Sequence, residues 1–140
     1  MTQERVGQEP GRHRFEAGLA LRKQVLGEAH VERSLERVTE FSRPIQELAT
    51  EYAWGAIWTR EGLELRDRSL INLAMLTVLN RSHELAVHAR GAVTNGVTRS
   101  EIQEVLMQAA NYAGMPAALE SFRIAVATLT ELEAEGVEVP

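Results

Sequence analysis

Apolar residues recur every three or four positions along most of this 140-residue chain, and glycine or proline separates the resulting stripes. One stripe contains Ile102, Leu106 and Ala109. It follows directly after Thr98 and Glu101, which have the spacing of a helix capping box. No segment shows the alternation of a half-buried strand, and short glycine connections make successive helices antiparallel neighbours. The sequence therefore predicts an all-α antiparallel bundle of about six helices, with apolar faces left for self-association.

The length fits one domain of common size. Residues 1–13 are rich in glycine, glutamine and charge, so we predict a disordered tail there and a single helical domain over residues 14–140. A net charge of −5 disfavours nucleic acid as a partner but allows a local basic pocket for a small anion. The N-terminus is polar and no apolar run has membrane length, so we expect a cytoplasmic protein with no membrane partner.

Glu84 and His88 are the residues most suited to chemistry, because they lie four positions apart on one face of a predicted helix. A histidine there could carry protons, or it could be a core residue bonded to a carbonyl or to Glu84. Both interpretations stay open. No cysteine is present, which excludes disulfides and thiol redox chemistry. Zinc or iron would need a third ligand besides Glu84, His88 and the nearby His83, so no metal site is predicted.

Both tryptophans, Trp54 and Trp58, fall in one short passage. We expect this passage to be turn-rich, because Gly55 is placed to interrupt the helix that starts at Pro44. Such an aromatic pair more often packs in a core than contacts a ligand.

Two arginines, Arg68 and Arg81, bracket the most apolar predicted helix. Most arginines are solvated surface groups. A guanidinium can nevertheless hold a carboxylate through two hydrogen bonds, so either residue could anchor an anionic substrate at the mouth of a pocket beside Glu84 and His88.

Three segments, in their order and spacing, resemble the carboxymuconolactone decarboxylase family. They are YAWGAIWTREGL at residues 52–63, RSLINLAML at 68–76, and LNRSHELAVHARGAVTNGVTRSEIQEVLMQAANYAGMPAA at 79–118. Glu61 departs from the family's usual proline in that turn. Related alkylhydroperoxidase-like proteins use a CxxCxxxH motif, and alignment on His88 places Arg81 and Glu84 at its two cysteines. Peroxidase activity is therefore not expected.

The resemblance implies decarboxylation of 4-carboxymuconolactone to the enol-lactone of β-ketoadipate, a step of protocatechuate breakdown, without metal or organic cofactor. It also implies a homo-oligomer, a hexamer or a trimer. On this reading His88 donates to the lactone oxygen or supplies the proton, and Glu84 orients it or exchanges protons with it. Arg81 or Arg68 would hold the remaining carboxylate of this anionic lactone, and Trp54 and Trp58 would wall the pocket.

Two alternatives remain at this point. One is an enzyme of the same family that acts on another lactone or keto acid. The other is a non-catalytic oligomeric helical protein that binds a ligand or serves assembly.

Overall fold

The computed structural model describes the backbone of residues 8–140 and the side chains of residues 11–140. Within this range the chain forms seven α-helices and one π-helix, with no strand. The elements are α1 Gln8–Leu26, α2 Glu28–Glu36, α3 Arg43–Leu48, the π-helix Ala49–Trp58, α4 Leu65–Val78, α5 Ser82–Thr94, α6 Arg99–Ala113 and α7 Met115–Ala134. The all-α prediction is confirmed, with one α-helix more than expected.

The chain divides into two compact units, one ending at Gly62 and the other beginning at Leu63. The prediction of a single domain over residues 14–140 stays a prediction. Part of the predicted tail, residues 1–7, lies outside the described residues. Residues 8–13 differ from the prediction because they belong to α1.

The second unit consists of α4 to α7 packed around one apolar core. Its fully buried members include Leu73 on α4, Leu85 and Ala89 on α5, and others on α6 and α7. The predicted capping box is confirmed at the start of α6, where Thr98 and Glu101 bond reciprocally through side chain and backbone. These features fix the positions of α4 and α5, the two helices that carry the predicted catalytic and anchoring residues of this unit.

In the first unit α1 packs closely against the π-helix. A Cβ on Gly18 would lie 2.2 Å from the carbonyl oxygen of Thr50, and a Cβ on Gly55 would lie 2.2 Å from that of Arg14. Because real Cβ atoms do not approach backbone this closely, both positions require glycine. Gly55 therefore allows two helices to approach and does not interrupt the helix, so the turn-rich passage predicted around Trp54 and Trp58 is wrong.

A buried arginine also joins the elements of the first unit. Arg22 on α1 is 9% exposed and donates through Nη1 to Thr50 Oγ1 at 3.2 Å and to Gln46 Oε1 at 3.3 Å. Burial lowers the pKa of this guanidinium. The two bonds tie α1 to both α3 and the π-helix.

None of the helices formed by residues 8–140 combines the length and the apolar character needed to cross a bilayer.

We predict that Gly18→Ala and Gly55→Ala each destabilise the protein by more than about 2 kcal/mol, since the added methyl group meets fixed backbone. Urea unfolding followed by circular dichroism measures this change. Gly62→Ala is the matched control, because nothing lies within 4 Å of its Cβ position, and we expect a change within about 0.5 kcal/mol. Equal stability of all three variants would show that α1 and the π-helix are not in close contact.

Candidate active site

His88 lies on α5 and faces α4, where its ring meets Asn72. The distance from Asn72 Nδ2 to His88 Nδ1 is 3.4 Å, at the long end of the hydrogen-bond range. Both side chains are half-buried. Each is adjacent in sequence to a fully buried core residue, Leu73 or Ala89, so the packing of α4 on α5 holds the two side chains together.

Charged groups lie on either side of this contact along the helices. Because α4 and α5 are joined by a three-residue connection they run antiparallel. Arg68 is one turn from Asn72 in one direction and Glu84 is one turn from His88 in the other, about 6 Å along the helix in each case. Arg68 is half-buried and Glu84 is exposed. The imidazole of His88 therefore lies between the positively charged Arg68 on one side and the negatively charged Glu84 on the other, along the direction of the helices.

Burial changes the protonation of the ring. It lowers the pKa of His88 from 6.5 to about 4, and the Glu84 carboxylate opposes this shift by favouring the charged form. The ring is consequently neutral at pH 7. A neutral imidazole carries one N–H donor and one acceptor nitrogen, so it can donate a hydrogen bond without carrying a charge.

Three further arginines of the second unit differ in whether a carboxylate of the chain already pairs with them. Arg81 is exposed and precedes the first residue of α5. Arg90 donates to both carboxylate oxygens of Glu135, at 2.9 and 2.6 Å, and Arg66 pairs with Glu101. These pairs hold helix ends together, so Arg90 and Arg66 are structural residues in this unit.

Trp54 and Trp58 belong to the first unit, on the π-helix. Their rings stack with centroids 4.8 Å apart and an interplanar angle of 23°, and they are 6% and 7% exposed. Their burial favours a packing role. That they also wall a substrate pocket stays a prediction. Ten residues of π-helix are unusual, since π geometry mostly occurs as single turns and often near functional sites.

A groove of about 360 Å³ runs between α6 and α7, and its lining includes Ile102, Leu106, Phe122 and Leu129. None of the predicted site residues lines it. Arg99 at its edge pairs with Glu133, so the groove offers little polar chemistry. Among the described residues, no three His, Asp or Glu side chains are grouped as metal ligands would be.

Asn72 is the site residue that sequence reasoning missed. It occurs inside the quoted segment RSLINLAML, in a helix that is apolar on nearly every side. The signal was an amide among leucines, since a polar side chain in such a helix needs a hydrogen-bond partner. The partner itself follows only from the packing of α4 on α5.

Comparison with known proteins places the chain in a family. The sequence model of the carboxymuconolactone decarboxylase family matches residues 43–127, more than half of the chain. A nitrosuccinic acid decarboxylase of Metarhizium robertsii is 40% identical over 136 residues, 97% of this chain and 95% of that protein. A 4-carboxymuconolactone decarboxylase of Acinetobacter baylyi is 40% identical over 119 residues, 85% of this chain and 89% of that protein. The chain belongs to the carboxymuconolactone decarboxylase family.

Family membership and these relatives support a decarboxylase activity on a small molecule, and the predicted resemblance is confirmed. The two relatives are named for different substrates, a nitro acid and a lactone acid. The identity of the substrate is therefore a separate question from the class of reaction.

The low pKa of His88 predicts a pH dependence of stability. Above pH 6.5 the ring is neutral in both folded and unfolded chains and contributes nothing. Between pH 6.5 and about 4 the unfolded chain binds a proton that the folded chain does not. The free energy of unfolding therefore decreases as the pH is lowered, by up to about 1.4 kcal/mol per pH unit. This loss should be absent in His88→Gln, as measured by urea unfolding across the range.

The carboxylates titrate in the wild type and in His88→Gln alike, so the difference between the two stability curves reports His88 alone. His83→Gln is the control, because His83 is exposed on the same helix and should follow the wild type. Parallel stability curves for wild type and His88→Gln would contradict the lowered pKa.

Proposed function

We propose that the protein is a cofactor-independent decarboxylase that converts 4-carboxymuconolactone to the enol-lactone of β-ketoadipate in protocatechuate breakdown. The observation that carries the proposal is a neutral, half-buried His88, flanked by Glu84 and Arg68, in a chain 40% identical to a decarboxylase of that name.

The reaction needs two things from the protein. When the carbon–carbon bond to the carboxylate breaks, the electron pair stays on the ring carbon and delocalises through the double bond to the lactone carbonyl. The resulting oxyanion needs a hydrogen-bond donor, and the ring carbon next to the lactone carbonyl needs a proton, because protonation at that carbon gives the enol-lactone. Because His88 is uncharged at neutral pH, it suits the role of donor to the oxyanion better than that of proton source. The proton for that carbon comes from solvent by way of the Glu84 carboxyl group, which is exposed one turn away.

The substrate also carries a carboxylate that does not leave. We assign its binding first to Arg68, because this guanidinium is half-buried on the same helix as Asn72 and one turn from it. Arg81 is the second candidate, three residues before Glu84. Trp54 and Trp58 stay as proposed pocket walls.

Nitrosuccinate is the second candidate substrate, favoured by the relative that aligns with 97% of the chain. Its decarboxylation has the same requirements, since the electron pair left on carbon delocalises into the nitro group and places negative charge on oxygen. It also carries a second carboxylate. The same donor and the same arginines therefore serve either molecule, and the pocket walls decide between them.

Self-association is part of the proposal, as a cytoplasmic homo-oligomer, a hexamer or a trimer. Large apolar side chains are exposed in both units. They include Phe41 at 96% and Ile45 at 62% in the first unit, and Ile71, Met75 and Val78 on α4. Contiguous apolar surface of this kind typically marks an interface.

We predict that His88→Ala lowers kcat about 10²- to 10³-fold, the usual loss when one oxyanion donor is removed. Glu84→Gln should cost about tenfold or less, because Glu84 is exposed and solvent can replace its proton exchange. Absorbance-monitored turnover of enzymatically generated 4-carboxymuconolactone measures both, with His83→Ala as the control of unchanged rate. Near-normal turnover of both site variants would remove the pair from the mechanism.

The choice of substrate is tested by kcat/KM for 4-carboxymuconolactone and for nitrosuccinate with the same preparation. We expect the lactone to be preferred. A preference for nitrosuccinate would favour the second candidate. Release of CO₂ from neither of these acids, but from another lactone or keto acid, would indicate a different substrate for the same reaction. Absence of release from every acid tested would favour the non-catalytic binding protein.

Light scattering coupled to size-exclusion chromatography tests the assembly. We expect a mass three or six times the 15.6 kDa of one chain. Replacing exposed Met75 on α4 with glutamate should reduce that mass, since the charge would be buried without a partner. A wild-type mass of one chain would contradict the proposal.

A further inference from the structure

We propose that Asn72 is a positioning residue: by donating its amide hydrogen to Nδ1 of His88, it holds the neutral ring in the tautomer that carries its proton on Nε2. The contact itself is a property of the fold. Its catalytic meaning rests on the proposed function, because Nε2–H is then the donor that meets the oxyanion.

The donor and acceptor roles follow from the two groups. The amide nitrogen of asparagine has two hydrogens and no lone pair to accept with, so the atom facing it must accept. Nδ1 accepts only when it carries no hydrogen. A neutral imidazole has a single N–H, so that hydrogen is on Nε2.

An amide differs from the carboxylate that often pairs with a catalytic histidine. A carboxylate accepts a hydrogen from Nδ1 and favours the charged imidazolium. Asn72 places its amide nitrogen toward Nδ1 and donates instead, and in this orientation it offers the imidazolium no acceptor. The charged group that acts on the ring from its own helix is Glu84, which favours the imidazolium. The Asn72 amide therefore works with burial, and against Glu84, to keep the donor uncharged.

The positions of both side chains are set by rigid neighbours. Leu73 follows Asn72 and is 1% exposed, while Leu85 and Ala89 on α5 are 2% and 1% exposed. Helices whose adjacent residues are locked in a core cannot rotate to realign a side chain. The packing of the two helices therefore keeps Asn72 beside His88 before any substrate binds, as an efficient oxyanion donor requires.

Long-range ¹H–¹⁵N correlation spectra of ¹⁵N-labelled protein test the tautomer directly, since protonated and unprotonated ring nitrogens resonate far apart. The chain has four histidines, and the signals absent from His88→Gln identify those of His88. At pH 7 we expect Nδ1 unprotonated and Nε2 protonated. In Asn72→Leu, which removes the amide at similar volume, we expect both nitrogens to shift toward averaged values.

Asn72→Asp is the more discriminating variant, because an ionised carboxylate can accept a hydrogen bond from His88 but cannot donate one. We expect the hydrogen to move to Nδ1 and the pKa of His88 to rise. The pH profile of kcat/KM should then change at low pH, in addition to a kcat loss of about 10- to 100-fold that leaves KM nearly unchanged. Asn111→Asp adds the same charge at an exposed position of α6 and should change neither spectrum nor kinetics.

The proposal is overturned if the wild-type spectrum shows His88 protonated on Nδ1, or if Asn72→Leu leaves the ring signals unaltered. These results are separable from failure of the proposed function. An Nε2–H tautomer that depends on Asn72, in a protein that releases no CO₂ from either acid, would support the positioning role while removing the reaction. His88-dependent turnover with an Nδ1–H ring would do the reverse.

Discussion

Packing of α4 against α5 brings the Asn72 amide to the His88 ring and partly removes the imidazole from water. A charged ring would lose solvation there, so the neutral form is favoured at pH 7. Every further inference depends on this, because a neutral ring has a single N–H donor and one acceptor nitrogen, whereas a charged ring donates from both nitrogens and can release a proton. The Glu84 carboxylate favours the charged form but does not outweigh burial.

The idea of a donor aimed at a developing oxyanion also explains how two relatives can be named for unlike substrates. A lactone carbonyl conjugated through a ring double bond and a nitro group are both electron sinks. In each molecule the leaving carboxylate lies where the electron pair can reach that sink. Under the proposed function, the chemistry depends on His88 and its neighbours, whereas substrate choice depends on the pocket walls, which can differ between this chain and relatives 40% identical to it.

Sequence patterns were sufficient for the parts of this fold that depend on local physics. The capping box of Thr98 and Glu101 follows from hydrogen bonds within a few residues. The pairing of Glu84 with His88 likewise follows from helical spacing. Gly55 was misread because glycine serves both to end helices and to let two helices touch, and only the position of α1 separates these uses. Asn72 could not be matched with His88 for the same reason: sixteen residues separate them in sequence.

A titration of the His88 ring is the most direct test of this account. The chemical shifts of its carbon-bound protons, followed by NMR from pH 3 to 8 and assigned with His88→Gln, report the protonation of this one ring. A midpoint near 4 is predicted, about 2.5 units below that of an exposed histidine. A midpoint at or above 6.5 would show a solvated or charged imidazole and would contradict the role of His88 as a neutral donor.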